Sequence, residues 1–68
     1  MKLEYYEDTD SLYIHLSDKP SADSQEAAEG VVLDFDAEGH LAGIDIDQAS
    51  QWVDLDELAF NRLPKAAG

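Results

Sequence analysis

The chain has 68 residues, sixteen acidic against four basic side chains, a formal net charge of −12 and no cysteine, so we expect one small domain held together without disulfides or a thiolate metal site. The acidic charge should repel DNA and RNA backbones, and it leaves basic proteins as the charged partners to expect. The start, MKLEYYEDTD, has no apolar segment of signal-peptide length, and no later stretch approaches the roughly 20 apolar residues of a membrane helix, so we expect a cytoplasmic protein without membrane contact.

A β-hairpin is predicted at the start of the chain, where residues 2–6 and 11–16 flank a polar loop at 7–10. The loop length sets a register that brings apolar side chains onto one face, with Leu3 opposite Ile14 and Tyr5 opposite Leu12. The other face then carries Tyr6 and two mixed pairs, Glu4 with Tyr13 and Lys2 with His15. This alternation is typical of a hairpin that has one face in the core and one in water.

Residues 19–29 fit two structures. Asp23 and Glu26 have the spacing of a capping box, which would begin a short helix that Gly30 ends. An edge strand over residues 23–28 fits equally well, and residue patterns alone leave both structures open.

A second hairpin is predicted from VVLDFD (31–36) and LAGIDID (41–47). A loop of two or four residues gives three apolar pairs, which are Val31 with Ile46, Leu33 with Ile44, and Phe35 with Ala42. A three-residue loop with Gly39 in a bulge suits the glycine better, but it pairs Phe35 with Leu41 and misaligns Ile44. Both registers stay open.

A C-terminal helix is predicted over residues 54–63. Asp54 and Glu57 have capping-box spacing, and Val53 and Leu58 have the spacing of a hydrophobic staple. One helical stripe is apolar, formed by Leu55, Leu58, Ala59 and Leu63.

We expect this helix to pack on the inward faces of both hairpins, with Trp52 as the anchor of the junction. The predicted core beneath it consists of Leu3, Ile14, Leu33, Phe35 and Ile44. The predicted fold is a single α+β domain over residues 1–68, a small antiparallel β-sheet of two hairpins and four to five strands packed by a C-terminal helix.

Two segments, MKLEYYEDTDSLYIHLSD and GVVLDFDAEGHLAGIDIDQAS, resemble the bacterial family catalogued as domain of unknown function 2283. In that family a tyrosine-bearing strand leads to an L-Y-I strand, then to a G-V-V-L-D hairpin and a G-I-[DE]-I strand before a short helix, and the resemblance covers about residues 1–50. It implies a compact antiparallel sheet with a helical C-terminus, and it favours a strand at 23–28. It implies no activity and supplies no catalytic residues, and the tail 51–68 departs from it.

One acidic loop has the spacing of a calcium site. The Asp34–Asp45 loop nearly matches the pattern D-x-[DN]-x-[DN]-G-x₅-E, and its candidate oxygen ligands are Asp34, Asp36, Glu38, the His40 carbonyl and Asp45. Glu38 and Asp45 depart from the residue types of the pattern, and a strand rather than a helix precedes it. An acidic hairpin turn explains the same residues, so we assign no metal ligand and keep divalent-cation binding as the alternative function.

No catalytic constellation is recognisable. His15 is expected on an outward strand face and His40 beside a turn, with no cysteine in the chain and no serine at a known motif spacing. Acid–base chemistry needs a pocket that shifts a pKa, and carboxylates on a solvated face do not provide one. We therefore predict no enzyme activity, no catalytic residue and no cofactor. Tyr6 and Tyr13 are expected on the outward face, either as a patch for a partner or covered by a loop or the tail.

The predicted function is a non-catalytic protein-interaction module. A small sheet leaves edges and apolar area that a second copy would cover, which predicts a homo-oligomer. The acidic surface also suggests a basic protein partner, by analogy with antitoxins that mask cationic toxins.

Overall fold

The computed structural model of the protein describes residues 1–65 and shows five strands followed by two short helical segments. The strands are β1 Lys2–Tyr6, β2 Ser11–His15, β3 Asp23–Ala28, β4 Val31–Phe35 and β5 Leu41–Asp47. They form one antiparallel sheet in the order β1-β2-β5-β4-β3. The helix α1 spans Ala49–Trp52, and a 3₁₀ turn spans Leu55–Glu57. The predicted α+β fold is confirmed.

The first hairpin has the predicted register, with Leu3 opposite Ile14 and Tyr5 opposite Leu12. Strand β2 then pairs with β5, so that Ile14 also lies opposite Ile44 and the two hairpins become one sheet. The apolar side chains of both hairpins therefore share one surface. We call it the apolar face, and its strand residues are Leu3, Tyr5, Leu12, Ile14, Val31, Leu33, Phe35, Ile44 and Ile46.

The opposite surface of the sheet, which we call the polar face, carries most of the strand carboxylates. Its residues are Lys2, Glu4, Tyr6, Ser11, Tyr13, His15, Ser24, Glu26, Val32, Asp34, Gly43, Asp45 and Asp47. The alternation of side chains along each strand produces this separation, because successive residues point to opposite sides of a sheet.

The second hairpin combines the two registers that the sequence left open. Leu33 lies opposite Ile44, as expected for an even loop, whereas Phe35 lies opposite Leu41, as expected for a three-residue loop. Both hold because the register shifts between these two pairs, which makes Ala42 the extra residue of a β-bulge. The three-residue loop therefore does not misalign Ile44, since the bulge absorbs the additional residue.

Residues 23–28 form strand β3, as the family resemblance favoured. The strand pairs only with β4, so it is an edge strand, and each of its residues is exposed. A helix here would have no apolar stripe to bury and would gain little from being so short. A strand instead completes the hydrogen bonding of the free edge of β4.

The predicted helix over residues 54–63 is wrong. This segment contains only the 3₁₀ turn, followed by chain without regular secondary structure, and α1 lies before it. Asp54 does cap the turn, because its carboxylate accepts a hydrogen bond from the Asp56 amide at 3.2 Å. Leu58 and Leu63 are 54% and 83% exposed, and so short a helix is marginal in water unless its stripe packs on something. No helix within residues 1–65 has the length and apolar character that crossing a membrane requires.

Trp52 is not the anchor that the sequence predicted, since it is 70% exposed. Helix α1 is held instead by Ala49, which is fully buried, and by Asp10 from the loop of the first hairpin. The Asp10 carbonyl accepts from the Ala49 amide at 2.9 Å, and its carboxylate accepts from the Ser50 amide at 3.0 Å and the Ser50 hydroxyl at 2.6 Å. Tyr5 donates to the same carboxylate at 2.6 Å. Asp10 therefore caps α1 from a distant part of the chain.

The apolar face is only partly covered. Among the described residues the buried hydrophobic side chains are Leu12, Ala42 and Ala49. The five predicted core residues do share the apolar face, but Leu3 is 43% exposed and the others are half-buried, namely Ile14, Leu33, Phe35 and Ile44. The prediction that a helix encloses these five residues is wrong, because residues 54–63 form only a 3₁₀ turn followed by irregular chain.

The chain is correspondingly extended. Its accessible surface is 5568 Å², whereas a compact monomer of 7.5 kDa exposes about 4,200 Å². Its radius of gyration is 13.9 Å, against about 11 Å for a compact domain of this length. One chain thus exposes roughly 1,300 Å² more than a self-sufficient domain of its size.

Candidate functional site

A hydrogen-bonded network crosses the polar face. The hydroxyl of Tyr13 on β2 donates to Asp34 Oδ2 on β4 at 2.6 Å, and the hydroxyl of Ser24 on β3 donates to Asp34 Oδ1 at 2.6 Å. To reach Asp34, Tyr13 must pass over β5, and it does so at Gly43, where no side chain stands in the way. The network therefore joins four adjacent strands of the sheet.

The Tyr13–Asp34 pair has shifted pKa values. The hydrogen bonds from Ser24 and Tyr13 favour the ionised carboxylate, so they hold the pKa of Asp34 below its usual value. The bond to Asp34, aided by burial and by the negative charge of Asp34, raises the pKa of Tyr13 to about 12. Near neutral pH the pair is therefore a neutral phenol donating to a carboxylate.

The network extends to the edge strand β1 through His15. The His15 Nε2 and Glu4 Oε1 atoms are 2.6 Å apart, and the His15 ring packs edge-on against Tyr13 with 4.5 Å between the ring centroids. Lys2 Nζ approaches the same glutamate at 3.9 Å. The resulting band of polar contacts spans all five strands, from Glu4 to Ser24.

Asp45 lies beside this network but outside it. It is directly opposite Tyr13 in the sheet and half-buried. Burial, followed by the negative charges of Asp34 and Asp47, raises the pKa of Asp45, and no hydrogen bond within residues 1–65 opposes these effects. Asp45 and Asp34 thus experience opposite environments on the same face.

The Asp34–Asp45 loop is a hairpin turn stabilised by its own acid. The Asp36 carboxylate accepts from the amides of Glu38 and His40, each at 2.9 Å, and Gly39 has a positive φ of 83°. The His40 amide and then the Glu38 amide hold the pKa of Asp36 below its usual value. Asp36 is thus committed to the turn, and Asp34 to the network on the polar face. Within residues 1–65 no three His, Cys, Asp or Glu side chains form a group that could hold a metal ion.

The apolar face offers a second surface. An apolar hollow of about 400 Å³ lies between the tail and the edge of the sheet, lined by Met1, Leu3, Ile14, Leu58, Ala59 and Phe60. Leu58 and Phe60 are 54% and 72% exposed, so the tail borders this hollow without filling it. The exposed apolar side chains around this hollow make it the second candidate site on the described part of the chain.

Sequence reasoning found the residues of the polar face but not the contacts between them. It placed Tyr13, Asp34 and Asp45 on the outward face, and the register agrees. It missed that Tyr13 reaches Asp34 and that Gly43 makes this possible. The sequence did contain one signal of this contact: Gly43 lies inside a predicted strand, and in the sheet it is diagonal to Tyr13. A glycine inside a strand often marks a place where another group approaches the backbone closely.

The chain matches a known protein family. The model of the family described as protein of unknown function (DUF2283) matches residues 2–50, a span that contains all five strands and ends inside α1. No curated protein and no solved structure matched the chain significantly.

Proposed function

The chain belongs to the DUF2283 family, whose description assigns no activity, and we propose from its geometry that it is a non-catalytic protein-interaction module that self-associates through the apolar face of its sheet. The single observation behind this proposal is that nothing in residues 1–65 encloses the apolar face, so that of its strand residues listed above only Leu12 is buried. A second copy of the chain is the occupant to which the proposal commits.

The exposed area matches what a dimer buries. The excess of roughly 1,300 Å² over a compact monomer includes exposed tail side chains as well as the apolar face, and it exceeds the approximately 800 Å² that each partner contributes to a standard interface. Two sheets packed face to face, about 10 Å apart, would enclose their apolar side chains as in a β-sandwich. The apolar hollow beside Leu3 would then receive side chains from the partner copy.

A second copy of the chain suits the apolar face better than a transient partner, because the apolar side chains need to be shielded from water whenever the chain is folded. A chain of 68 residues in which residues 1–65 bury three hydrophobic side chains has a core that supplies little stability by itself. Obligate homodimers solve this problem, since their folding and assembly are one equilibrium. A partner that comes and goes would leave the chain unfolded in its absence.

Charge does not oppose this arrangement, although each copy carries a net charge of −12. The polar face holds Glu4, Asp34, Asp45 and Asp47, whereas among the strand residues on the apolar side only Asp23, at the edge strand, is a carboxylate. Face-to-face packing therefore directs most strand carboxylates outwards into water, where salt screens their repulsion.

The proposal assigns no catalytic role to His15, the histidine on the polar face. Its one hydrogen bond within residues 1–65 is to Glu4, and a histidine–carboxylate pair that activates a side-chain nucleophile needs that nucleophile within hydrogen-bond reach. The nearest aromatic partner, Tyr13, contacts it ring to ring and donates its hydroxyl elsewhere. The pair is therefore assigned a structural role in joining β1 to the network.

Sedimentation equilibrium over a wide concentration range tests self-association. Wild-type protein should have twice the mass of one chain. Leu3→Glu should weaken dimerisation about a hundredfold, because a symmetric interface meets the change twice and each copy must desolvate a carboxylate in place of a buried leucine. Leu41→Glu provides a second variant in case the first does not fold, because Leu41 lies opposite Phe35 of the apolar face and is 38% exposed.

Tyr6→Glu is the matched control. Tyr6 lies on the same strand as Leu3 and is 48% exposed, close to the 43% of Leu3, but it belongs to the polar face. The control should leave the dissociation constant within about threefold of wild type. A folded wild-type protein with the mass of a single chain at every concentration, or equal weakening by Leu3→Glu and Tyr6→Glu, contradicts the proposal.

A further inference from the structure

The polar face contains a hollow beside Tyr13, and we propose that it binds a cationic side chain, the ammonium of a lysine or the guanidinium of an arginine, presented by a basic partner protein. The hollow has a volume of about 420 Å³ and is lined by Tyr6, Thr9, Ser11, Tyr13, His15 and Asp45. We call it the tyrosine hollow. It lies on the side of the sheet opposite the apolar face, so it does not depend on self-association.

The hollow exists because Tyr13 leans away from its own row of the sheet. Its hydroxyl is drawn across Gly43 to Asp34, which vacates the space above Asp45, its direct cross-strand partner. Ser11, the next residue of β2 on this face, is small and leaves the space open. Tyr6 closes the far side of the hollow and is 48% exposed. The two tyrosines thus flank a depression with a carboxylate at its edge.

The electrostatics of the hollow favour a cation. Asp45 is half-buried, and the negative charges of Asp34 and Asp47 lie near enough to disfavour its ionisation. Its carboxylate accepts no hydrogen bond from residues 1–65 that would compensate, whereas Asp34 accepts two hydroxyl hydrogen bonds. A positive charge placed against Asp45 would relieve this repulsion and supply the missing donor.

The walls of the hollow suit the same group. A lysine or arginine head within about 6 Å of a tyrosine ring centroid is attracted by the negative face of the ring. A guanidinium can in addition stack on an aromatic ring while its N–H groups donate to a carboxylate. Two tyrosines and one undonated carboxylate therefore match an ammonium or guanidinium better than they match an anion or an apolar side chain.

No ion pair within residues 1–65 supplies this cation, so the proposal assigns it to another molecule. Within residues 1–65, Lys2 approaches Glu4 at 3.9 Å and Lys19 approaches Glu38 at 3.2 Å, and no ion pair reaches Asp45. The hollow is shallow, so it buries only the head of a side chain and leaves the stem for contacts with the surrounding face. A protein partner fits this geometry, and the net charge of −12 would steer a basic protein towards it.

NMR titration of the full chain with an acetylated, amidated tetra-arginine peptide tests this site. The largest amide shifts should map to the tyrosine hollow, and the same peptide with citrulline in place of arginine should produce none. Asp45→Asn should weaken the apparent affinity about tenfold. Asp56→Asn, which removes the same charge from the exposed 3₁₀ turn, should weaken it less than about twofold.

A second pair of variants distinguishes the contribution of the Tyr6 ring to peptide binding from that of the Asp45 charge. Tyr6→Leu should weaken binding severalfold, whereas Tyr6→Phe, which keeps the ring face, should not. Equal effects of Asp45→Asn and Asp56→Asn overturn the proposal, since the peptide would then be responding to net charge alone. Shifts spread over β3 and the tail, or equal shifts with the citrulline peptide, overturn it as well.

Discussion

The ring of Tyr13 lies over the backbone of Gly43, so close that a β-carbon at position 43 would stand 2.7 Å from Cζ of the tyrosine. Real β-carbons do not approach other atoms so closely, so the glycine is required by its neighbour. This contact lets one side chain reach from β2 to Asp34 on β4. It also draws the tyrosine hydroxyl away from Asp45, its direct cross-strand partner.

Gly43→Ala should destabilise the protein by about 1–3 kcal/mol, because the added methyl group displaces Tyr13 from Asp34. In an ordinary strand the same substitution stabilises by about 0.5–1 kcal/mol, so the sign itself is informative. Urea denaturation at fixed protein concentration measures the effect. In a Tyr13→Thr background the clash is gone, and Gly43→Ala should become neutral or stabilising. A destabilisation that persists in that background contradicts the contact as its cause.

Asp34→Asn should lower the pKa of Tyr13 from about 12 towards the ordinary tyrosine value of about 10. The carboxylate that the phenol donates to is the largest cause of the raised value, and an amide carries no charge to oppose phenolate formation. The ¹³C shift of the tyrosine ring carbon next to the hydroxyl, followed through alkaline pH, reports this ionisation. An unchanged Tyr13 titration in the variant would mean that the hydrogen bond does not persist in solution.

Two acids on the polar face should respond oppositely to the same substitution. The pKa of Asp34 is lowered in the folded state, so its ionisation contributes stability above the ordinary aspartate pKa, and that stability is lost as the pH falls through the folded value. The pKa of Asp45 is raised, so its ionisation costs stability above its folded value and nothing at low pH. At neutral pH, Asp34→Asn should therefore destabilise by about 1 kcal/mol, whereas Asp45→Asn should stabilise by less than about 1 kcal/mol.

Asp56→Asn is the control for this pair, because it changes the net charge equally at an exposed position. Denaturation curves for all three variants at neutral pH, and again at pH values decreasing below about 3.9, the ordinary aspartate pKa, measure the effects. The difference between the Asp34 and Asp45 variants should shrink at low pH. A difference that is unchanged in acid would show that packing rather than ionisation causes it.

Calcium should leave the Asp34–Asp45 loop unchanged. The Asp36 carboxylate already accepts two backbone hydrogen bonds, and that of Asp34 accepts two hydroxyl bonds, so binding an ion would require breaking the turn. Amide shifts of Asp34, Asp36 and Gly39 should stay constant in millimolar calcium. Saturable movement of these three resonances would revive the cation-binding function.

The sheet could be predicted because its determinants are local. Alternating apolar residues predicted the register of the first hairpin and the pairing of Leu33 with Ile44 in the second, and these pairs lie where that alternation requires. The bulge at Ala42 could not be predicted, because two local signals disagreed and only the paired strands show how both are satisfied. The choice between an edge strand and a helix for residues 23–28 likewise depends on tertiary structure, because the strand forms by pairing with the free edge of β4.

The C-terminal helix failed for a related reason. The spacing of Asp54, Leu55 and Leu58 shows which side chains a helix would bury. A segment this short forms a stable helix only if those side chains pack against another part of the protein. The cap on α1 could not be predicted from local sequence, because Asp10 and Ser50 lie far apart in sequence and come into contact only in the folded chain. Contacts between distant residues, such as Tyr13 with Asp34, define the candidate sites and leave little trace in residue order.

Isotope-filtered NOE measurements on a mixture of labelled and unlabelled chains test the central claim most directly. If a second copy covers the apolar face, methyl groups of Leu3, Ile14, Leu33 and Ile44 on one chain should show contacts with apolar side chains of the other. No intermolecular contact should involve the tyrosine hollow on the polar face. A folded protein that shows no intermolecular contacts at those methyl groups, or shows them only from the polar face, would contradict self-association through the apolar face.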